Sequence, residues 1–481
     1  MYIRGIIMSE SAEKFLEIGN SLGVEFMDVR IQNIDKTVLK MNNEKLEVSS
    51  VGTEAGIAIR VIVNGALGFA TVTSLDESKV ETAIKAAYKM ASASSKNKKI
   101  PVKLAEIKTY EDYVKPKLKI DPRTVDITEK MKLLQKANKL ILDKDNRIKN
   151  SVFEYADFYI YQIYMSTEGA RIEQEKSYVW GKVVATAKNN GIFASARYEV
   201  GSIEGFGIWK KENPEKISEI MAKRLLNQLK AKTPKAGSFP AVLAPEVVGV
   251  FTHEAFGHLA EADLALAGAV TFNKLGQQIA SPLVSIYDDG TIENKFGSFK
   301  YDDEGVKSQK TLLVDKGRIV SLMYDRYHSY LAKNIIKQLK LPEDVFNTDP
   351  TGNARSESFR FPPIIRMRNT YIAPGDMKKE ELFEDIEFGY YLVSFRGGQA
   401  NLNGTFQVGI QEGYEIVNGE IGDPIRNLSI SGNTLETLLA VDGVADDLDF
   451  EVGRCGKGQT AFIGDGGPHV RVKKIIIGGR E

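Results

Sequence analysis

Gly56–Thr71 reads GIAIRVIVNGALGFAT. Two β-rich runs, Gly56–Val63 and Ala66–Val72, flank Asn64-Gly65. An Asn-Gly pair tolerates the positive φ angles of a two-residue turn and is the strongest short-range hairpin signal. The stretch therefore predicts antiparallel pairing. Upstream, Glu25–Gln32 and Thr37–Met41 have the alternation and β-branched content of strands. Downstream, Ser74-Leu75-Asp76-Glu77 resembles a capping box and opens a helix running to about Ala93. A second helix fits Ile127–Leu142, and Val152–Val200 reads as long aromatic-rich strands with polar turns. A third helix fits Pro214–Lys230, where Pro214 suits a first helical turn.

The segment KAKTPKAGSFP, Lys230–Pro240, is short, basic and broken by Pro and Gly, as a linker would be. Beyond it, Phe239–Leu243 resembles a buried strand and Pro245 opens a helix. The rest is mostly strand-like. Lys310–Val314 and Arg318–Met323 bracket Asp315-Lys316-Gly317 as a hairpin, one helix fits Tyr327–Leu339, and Tyr390–Val417 alternates strand patterns with Gly-Gly and Asn-Gly breaks. The expected class is α+β. Residues 1–232 would form an N-terminal α+β domain with an antiparallel sheet and helices. Residues 238–481 would form a mainly β domain carrying the helix after Pro245.

Composition narrows the function. The 64 basic residues balance the 64 acidic ones, which gives no footprint for nucleic acid. No run of 18 apolar residues exists, so a membrane span is not expected. The opening MYIRGIIMSESAEK is too short in apolar residues for a signal peptide, which points to the cytoplasm. The single cysteine, Cys455, excludes an intrachain disulfide. Gly453–Gln459 around it reads as an exposed glycine-rich loop with two cations near the sulfur, a setting that favours thiolate.

The helix after Pro245 carries His253-Glu254-Ala255-Phe256-Gly257-His258, which holds two of the four histidines. Imidazoles hold zinc, and a carboxylate beside metal-bound water can move its proton. In the common H-E-x-x-H motif the histidines stand four apart; here they stand five apart. At about 100° per residue, five positions on an α-helix leave them about 140° apart. They share an ion only if the helix widens or breaks, so a π-like turn or a helix break is expected at Phe256–His258, with Gly257 as its flexible point. A catalytic zinc takes three protein ligands. The nearby candidate for the third is Glu261 and the distant one is Cys455. Glu254 is placed to act as general base without binding.

HEAFGHLAEAD, His253–Asp263, resembles the signature of the TldD branch of the TldD/PmbA metallopeptidase family. Thr351-Gly352-Asn353-Ala354-Arg355, Arg366–Tyr371, Gly397-Gly398, Gly404-Thr405-Phe406, Cys455–Gln459 and Gly56–Thr71 match further family blocks in order. The resemblance implies a zinc peptidase for short or unfolded peptides. It implies His253, His258 and Cys455 as zinc ligands and Glu254 as the catalytic carboxylate. It also implies a dimer, either of this chain or with a TldE/PmbA-like subunit, and that companion branch generally lacks the motif. Glu261 is assigned to orienting a histidine, and His469 to a structural or supporting role. Substrate would pair along a strand edge near Arg396–Thr405, with Gly397, Gly398 and Thr405 against it and Arg355 and Arg368 as candidate carboxylate holders. The rival readings are a non-catalytic peptide-binding subunit of the same fold and a structural zinc protein, which would need a fourth protein ligand such as Glu261 or His469. A third rival, a soluble oxidoreductase, has no Gly-x-Gly-x-x-Gly after a strand to support it.

Overall fold

The computed structural model describes residues 2–338 and 346–479. The chain is α+β, with antiparallel pairing dominant. Its first sheet contains β1 (Phe26–Asn42), β2 (Lys45–Val63), β3 (Ala66–Val72), β4 (Glu111–Val114), β5 (Ile148–Ser166), β6 (Arg171–Asn189) and β7 (Ile192–Ser202). The order is β3-β2-β1-β5-β6, and both β4 and β7 pair with β6. Ile57 pairs with Val72 and Val63 with Ala66, as the opening hairpin requires. Asn64 and Gly65 both take positive φ, 48° and 66°. The segments expected as two strands at residues 25–41 form the single long β1.

Three helices cover this sheet as the sequence pattern implies. Glu77–Ser95 is capped by Asp76, whose carboxylate accepts from the Ser78 and Lys79 N–H groups. The cap is thus Asp76 rather than Ser74. Ile127–Asp143 and Pro214–Lys230 follow the expected bounds closely. Their apolar faces pack Leu134, Ile141, Met221 and Leu225 against Phe153, Val179 and Val183 of the sheet. A further helix, Tyr2–Ser21, begins the described chain.

The second half contains β8 (Gly237–Leu243), β9 (Ile286–Asp289), β10 (Lys310–Asp315), β11 (Arg318–Ile319), β12 (Ala354–Arg355), β13 (Ile364–Ile365), β14 (Asn369–Ile372), β15 (Phe388–Ala400), β16 (Thr405–Val417), β17 (Glu420–Ile425), β18 (Leu428–Asn433), β19 (Val441–Val444), β20 (Asp449–Gly456), β21 (Thr460–Gly467) and β22 (Val470–Gly479). One sheet runs β15-β8-β22-β18-β16-β17 and closes on itself through β15–β16 pairing. The other runs β11-β10-β9-β14-β21-β20. The hairpin at Lys316-Gly317 is tight, with φ of 43° and 83°, and β11 is shorter than expected. A helix covers Arg326–Gln338, while Leu339, its expected end, lies outside the described residues.

The helix Pro245–Phe251 follows β8 and is buried between the two sheets, with Val247, Val248, Val250 and Phe251 in the largest core cluster. At Gly249 an added Cβ would stand 3.0 Å from the Asp465 backbone. That glycine lets β21 approach the helix one turn before the motif. On the other face of the β20–β21 hairpin, Phe462 meets Tyr178, Trp180 and Phe296 and packs the hairpin against the first sheet.

Candidate metal centre

The motif begins where the α-helix ends. Thr252–Gly257 forms a π-helical turn, and a 3₁₀ turn follows at His258–Ala260. The His258 N–H donates to the His253 carbonyl, an i+5 to i bond that carries both imidazoles to one side. The wide turn starts earlier than Phe256. Gly257 also serves a different purpose from the one expected. Its φ and ψ of −54° and −49° are ordinary helical values, but a Cβ there would stand 2.2 Å from Met367 Sδ. Close packing against Met367, not an unusual backbone, demands glycine.

His253, His258 and Cys455 come together, with one donor atom from each all within 4.8 Å of one another. His253 Nε2 is 3.1 Å from Cys455 Sγ, and Sγ is 3.3 Å from His258 Nε2. The rings are nearly perpendicular, at 85°. A tetrahedral zinc with bonds of about 2.0–2.1 Å to nitrogen and 2.3 Å to sulfur sets neighbouring N and S donors about 3.5 Å apart. The donor types and their spacing fit such an ion after a small outward movement.

Each histidine is oriented through its other nitrogen. His253 Nδ1 donates to Asp465 Oδ1 at 2.8 Å, and His258 Nδ1 to Glu261 Oε2 at 2.9 Å. These bonds leave both Nε2 atoms free to face the sulfur. Lys457 Nζ reaches Glu261 Oε2 at 3.1 Å and Asp263 Oδ2 at 2.8 Å, so the glutamate is itself held. Arg366 Nη2 donates to the Cys455 carbonyl at 2.8 Å and fixes the cysteine strand. Asp465, Lys457 and Arg366 escaped the sequence reading as site residues. Lys457 and Arg366 lay inside quoted blocks, whereas Asp465 carried no local signal.

Cys455 is not in an exposed loop. It is buried on β20, and only the residues after Gly456 form the turn. The cations beside it in sequence do not face the sulfur: Arg454 lies over the Trp180 ring, and Lys457 holds Glu261. Burial opposes ionisation of the thiol, but the imidazoles of His253 and His258 outweigh it and bring its pKa to about 5. Burial alone would depress the His258 imidazole, yet Cys455 and Glu261 raise it to about 9. The trio is therefore strongly polar, with thiolate available as a ligand.

Glu254 is half-buried at the wall of a cleft of about 840 Å³ that also exposes His253, His258 and Cys455. Among the described residues its carboxylate has no hydrogen bond or ion pair. Burial raises its pKa, against the pull of the two histidines. Gly397 and Gly398 line the same cleft, and a Cβ on Gly398 would sit 3.1 Å from Glu254 Cγ. The glycine keeps β15 close above the carboxylate. The facing wall is a cross-strand row of the first sheet in which Glu154 pairs with Lys182 and Lys182 with Glu199.

The remaining candidates stand elsewhere. Arg368 is fully buried over the Phe299 ring and donates to the Gly297 carbonyl at 2.9 Å and to those of Gly352 and Phe299. Arg355 donates to the carbonyls of Met367 and Phe462, both at 2.6 Å. Both guanidiniums are spent on backbone and neither lines the cleft, so the carboxylate-holding role is corrected. Thr405 is exposed at the β15–β16 turn, bonded to Asn401 and Asn403, and is not in the cleft wall. His469 bonds Asp447 and Tyr391, away from the trio.

Comparison with known proteins agrees with this fold. Residues 27–91, 120–229 and 236–479 match the models of domain 1, the central domain and the C-terminal domain of the PmbA/TldA metallopeptidases. A metalloprotease of Methanocaldococcus jannaschii is 37% identical over 96% of this chain and 98% of its own. A zinc metalloprotease TldD homolog of Saccharolobus solfataricus is 35% identical over 97% and 99%. The crystal structure of TldE from Thermococcus kodakarensis shares the fold, with a TM-score of 0.76 at 20% identity, over 98% of this chain and all of that one. Fold and matches define a protein of the metallopeptidase class. More narrowly, the chain belongs to the TldD/PmbA family and to its TldD branch.

Asp465→Asn is expected to keep the fold and weaken metal binding by about 10–100-fold, the usual cost of removing a carboxylate that orients a metal-binding histidine. Metal titration against a chromophoric chelator checks it; unchanged affinity would show that the His253–Asp465 contact does not support the ligand.

Proposed function

We propose that the chain is a zinc peptidase for short or unfolded peptides, with His253, His258 and Cys455 as ligands and Glu254 as general base. The observation that carries the reading is the convergence of three donors on one point beside a free carboxylate. A bound zinc would lower the pKa of its water to about 7 and polarise the scissile carbonyl. Glu254 takes the proton from the attacking water and returns it to the leaving amine. Asp465 and Glu261 keep both imidazoles in the ligating tautomer. Neither Glu261 nor His469 completes a fourth protein ligand, which favours a catalytic over a structural site. The thiolate donates more charge than a third imidazole would, so carbonyl polarisation leans more on substrate positioning.

β15 pairs with β8 only at Tyr390–Leu392. Among the described residues no strand pairs with 397–400 on that side, and these residues line the cleft. A peptide adding there as a strand would be held by its main chain, whatever its sequence. The division into units at residues 1–232 and 238–481, pairing with a TldE-like companion or a second copy, and a cytoplasmic setting complete the reading. No described helix is long and apolar enough to cross a membrane.

The test is zinc content together with hydrolysis of short unstructured peptides by the purified chain, alone and mixed with a TldE-type companion. The expected result is one zinc per chain and cleavage that chelation stops and zinc restores. Zinc without cleavage in either setting would return the chain to a peptide-binding role.

A further inference from the structure

We propose that the cavity behind the β20–β21 hairpin binds an apolar residue bearing a free α-carboxylate, either the C-terminal residue of a peptide or a free acylated amino acid.

The hairpin separates two spaces. Cys455, Ile463 and Asp465 serve the cleft with the trio, while Phe462 on the opposite face closes a second cavity of about 280 Å³. Arg454 and Thr460 line both. The volume falls just below the about 300–1,000 Å³ of drug-sized pockets, which suits one or two residues.

Its walls are aromatic: Phe158, Tyr178, Phe299 and Phe462 all line it. Its base is polar and charged out of balance. Asp303 is the buried acid there, and its carboxylate is already taken by Gln162 at 3.0 Å and by the Ser356 N–H at 2.7 Å and hydroxyl at 2.9 Å. Three cations surround it. Arg30 Nη1 stands 3.5 Å from Asp303, and Arg355 is committed to backbone carbonyls. Lys176 is only 11% exposed, its nearest acid is Asp303 at 3.7 Å, and its ammonium has no hydrogen-bond partner among the described residues. Burial outweighs Asp303 and lowers its pKa to about 8. The acids at the mouth do not correct the surplus: Glu54 is paired with Lys36, and Glu357 accepts from the Thr460 N–H. Apart from the shared Asp303 the ammonium meets, among the described residues, only the face of Phe299, 4.4 Å from the ring centroid, so its charge is partly balanced and an anion beside it would complete the balance.

A second polar group defines what lies beside that anion. Gln162 spends its amide on Asp303, so its oxygen receives the Gln32 amide at 2.7 Å. That fixes the Gln32 orientation and leaves its Oε1 buried with no donor, in a side chain that lines the cavity. The cavity thus offers a cation for a carboxylate, an acceptor for an N–H and aromatic walls for a side chain. A C-terminal residue carries all three around one α-carbon.

The test uses the full-length, zinc-loaded chain with N-acetylphenylalanine and its amide, measured by calorimetry. The acid is expected to bind at least about tenfold more tightly than the amide, the factor that 1.4 kcal/mol sets. Lys176→Met should erase that preference with zinc content unchanged. Should that variant fail to fold, Lys176→Gln removes the charge and keeps a polar tip, and it should erase the same preference. No binding of the acid to the wild-type chain, equal binding of acid and amide, or an unaltered preference in a folded variant overturns the proposal. Hydrolysis of peptides ending in free acid or amide separates the two sources. A lower KM for the acid, lost in Lys176→Met, assigns the cavity to the substrate's C-terminus. Equal KM values alongside binding of N-acetylphenylalanine assign it to a free amino acid derivative. Because binding is read without catalysis, failure of the peptidase reading leaves this result standing, and the converse also holds.

Discussion

Glu254→Gln is expected to keep its zinc and lose peptide hydrolysis by about 10²–10⁴-fold, the contribution of a positioned general base. The substitution preserves shape and removes the proton acceptor. Its neighbours are undisturbed because the Glu254 carboxylate has no partner among the described residues, and the half-buried side chain sits between the Gly398 backbone and the cleft. The loss should fall on kcat rather than KM, since the group acts on the proton and not on peptide binding. Metal analysis and steady-state kinetics on one preparation check both halves. Cleavage at the wild-type rate would remove Glu254 from the mechanism.

Cys455→Ser is expected to cost more metal affinity than loss of Asp465, beyond about 100-fold, because the proposed site loses a direct ligand rather than the group that orients one. A serine hydroxyl is too weak an acid to replace a thiol brought to about 5 by its imidazole neighbours. A ligand that binds only the folded state stabilises it in proportion to the logarithm of its concentration over Kd. Thermal melting of the wild-type chain should therefore fall on chelation, whereas Cys455→Ser should melt alike with and without chelator. Full zinc occupancy in the variant would transfer the third-ligand role to Glu261.

The legible parts of the chain were those in which local chemistry decides structure. Asn64-Gly65 fixed a hairpin because few other residues accept its turn angles. Pro214 marked a helix start because its missing N–H costs nothing there. The five-residue histidine spacing implied a widened turn or a break from geometry alone, and a widened turn exists, displaced toward Thr252. Contacts across distant strands were not legible. Asp465 meets His253 from 212 positions away, and nothing local distinguishes it from a surface aspartate. Arg355 and Arg368 failed for a related reason: a guanidinium reads the same in sequence whether it faces a substrate carboxylate or the backbone carbonyls it satisfies here. The glycines around Cys455 suggested exposure, and Gly456 is exposed, but Cys455 itself turns inward from β20 and is buried.

The wide turn at Thr252–Gly257 also acts as a phase shifter. Each α-helical residue advances about 100°, so one additional residue resets the direction of everything after it. Residues 247–251 before the turn and 259–261 after it are all buried, so packing fixes the chain on both sides of it. Deleting Ala255 or Phe256 to recreate the shorter histidine spacing would align the two imidazoles on an ordinary helix. The same deletion would turn His258, Leu259 and Glu261 together by about 100° relative to the helix before them, and so swing Leu259 and Glu261 out of their buried packing. The extra residue is held in place from both ends, so the longer motif cannot shrink to the shorter one in a single step.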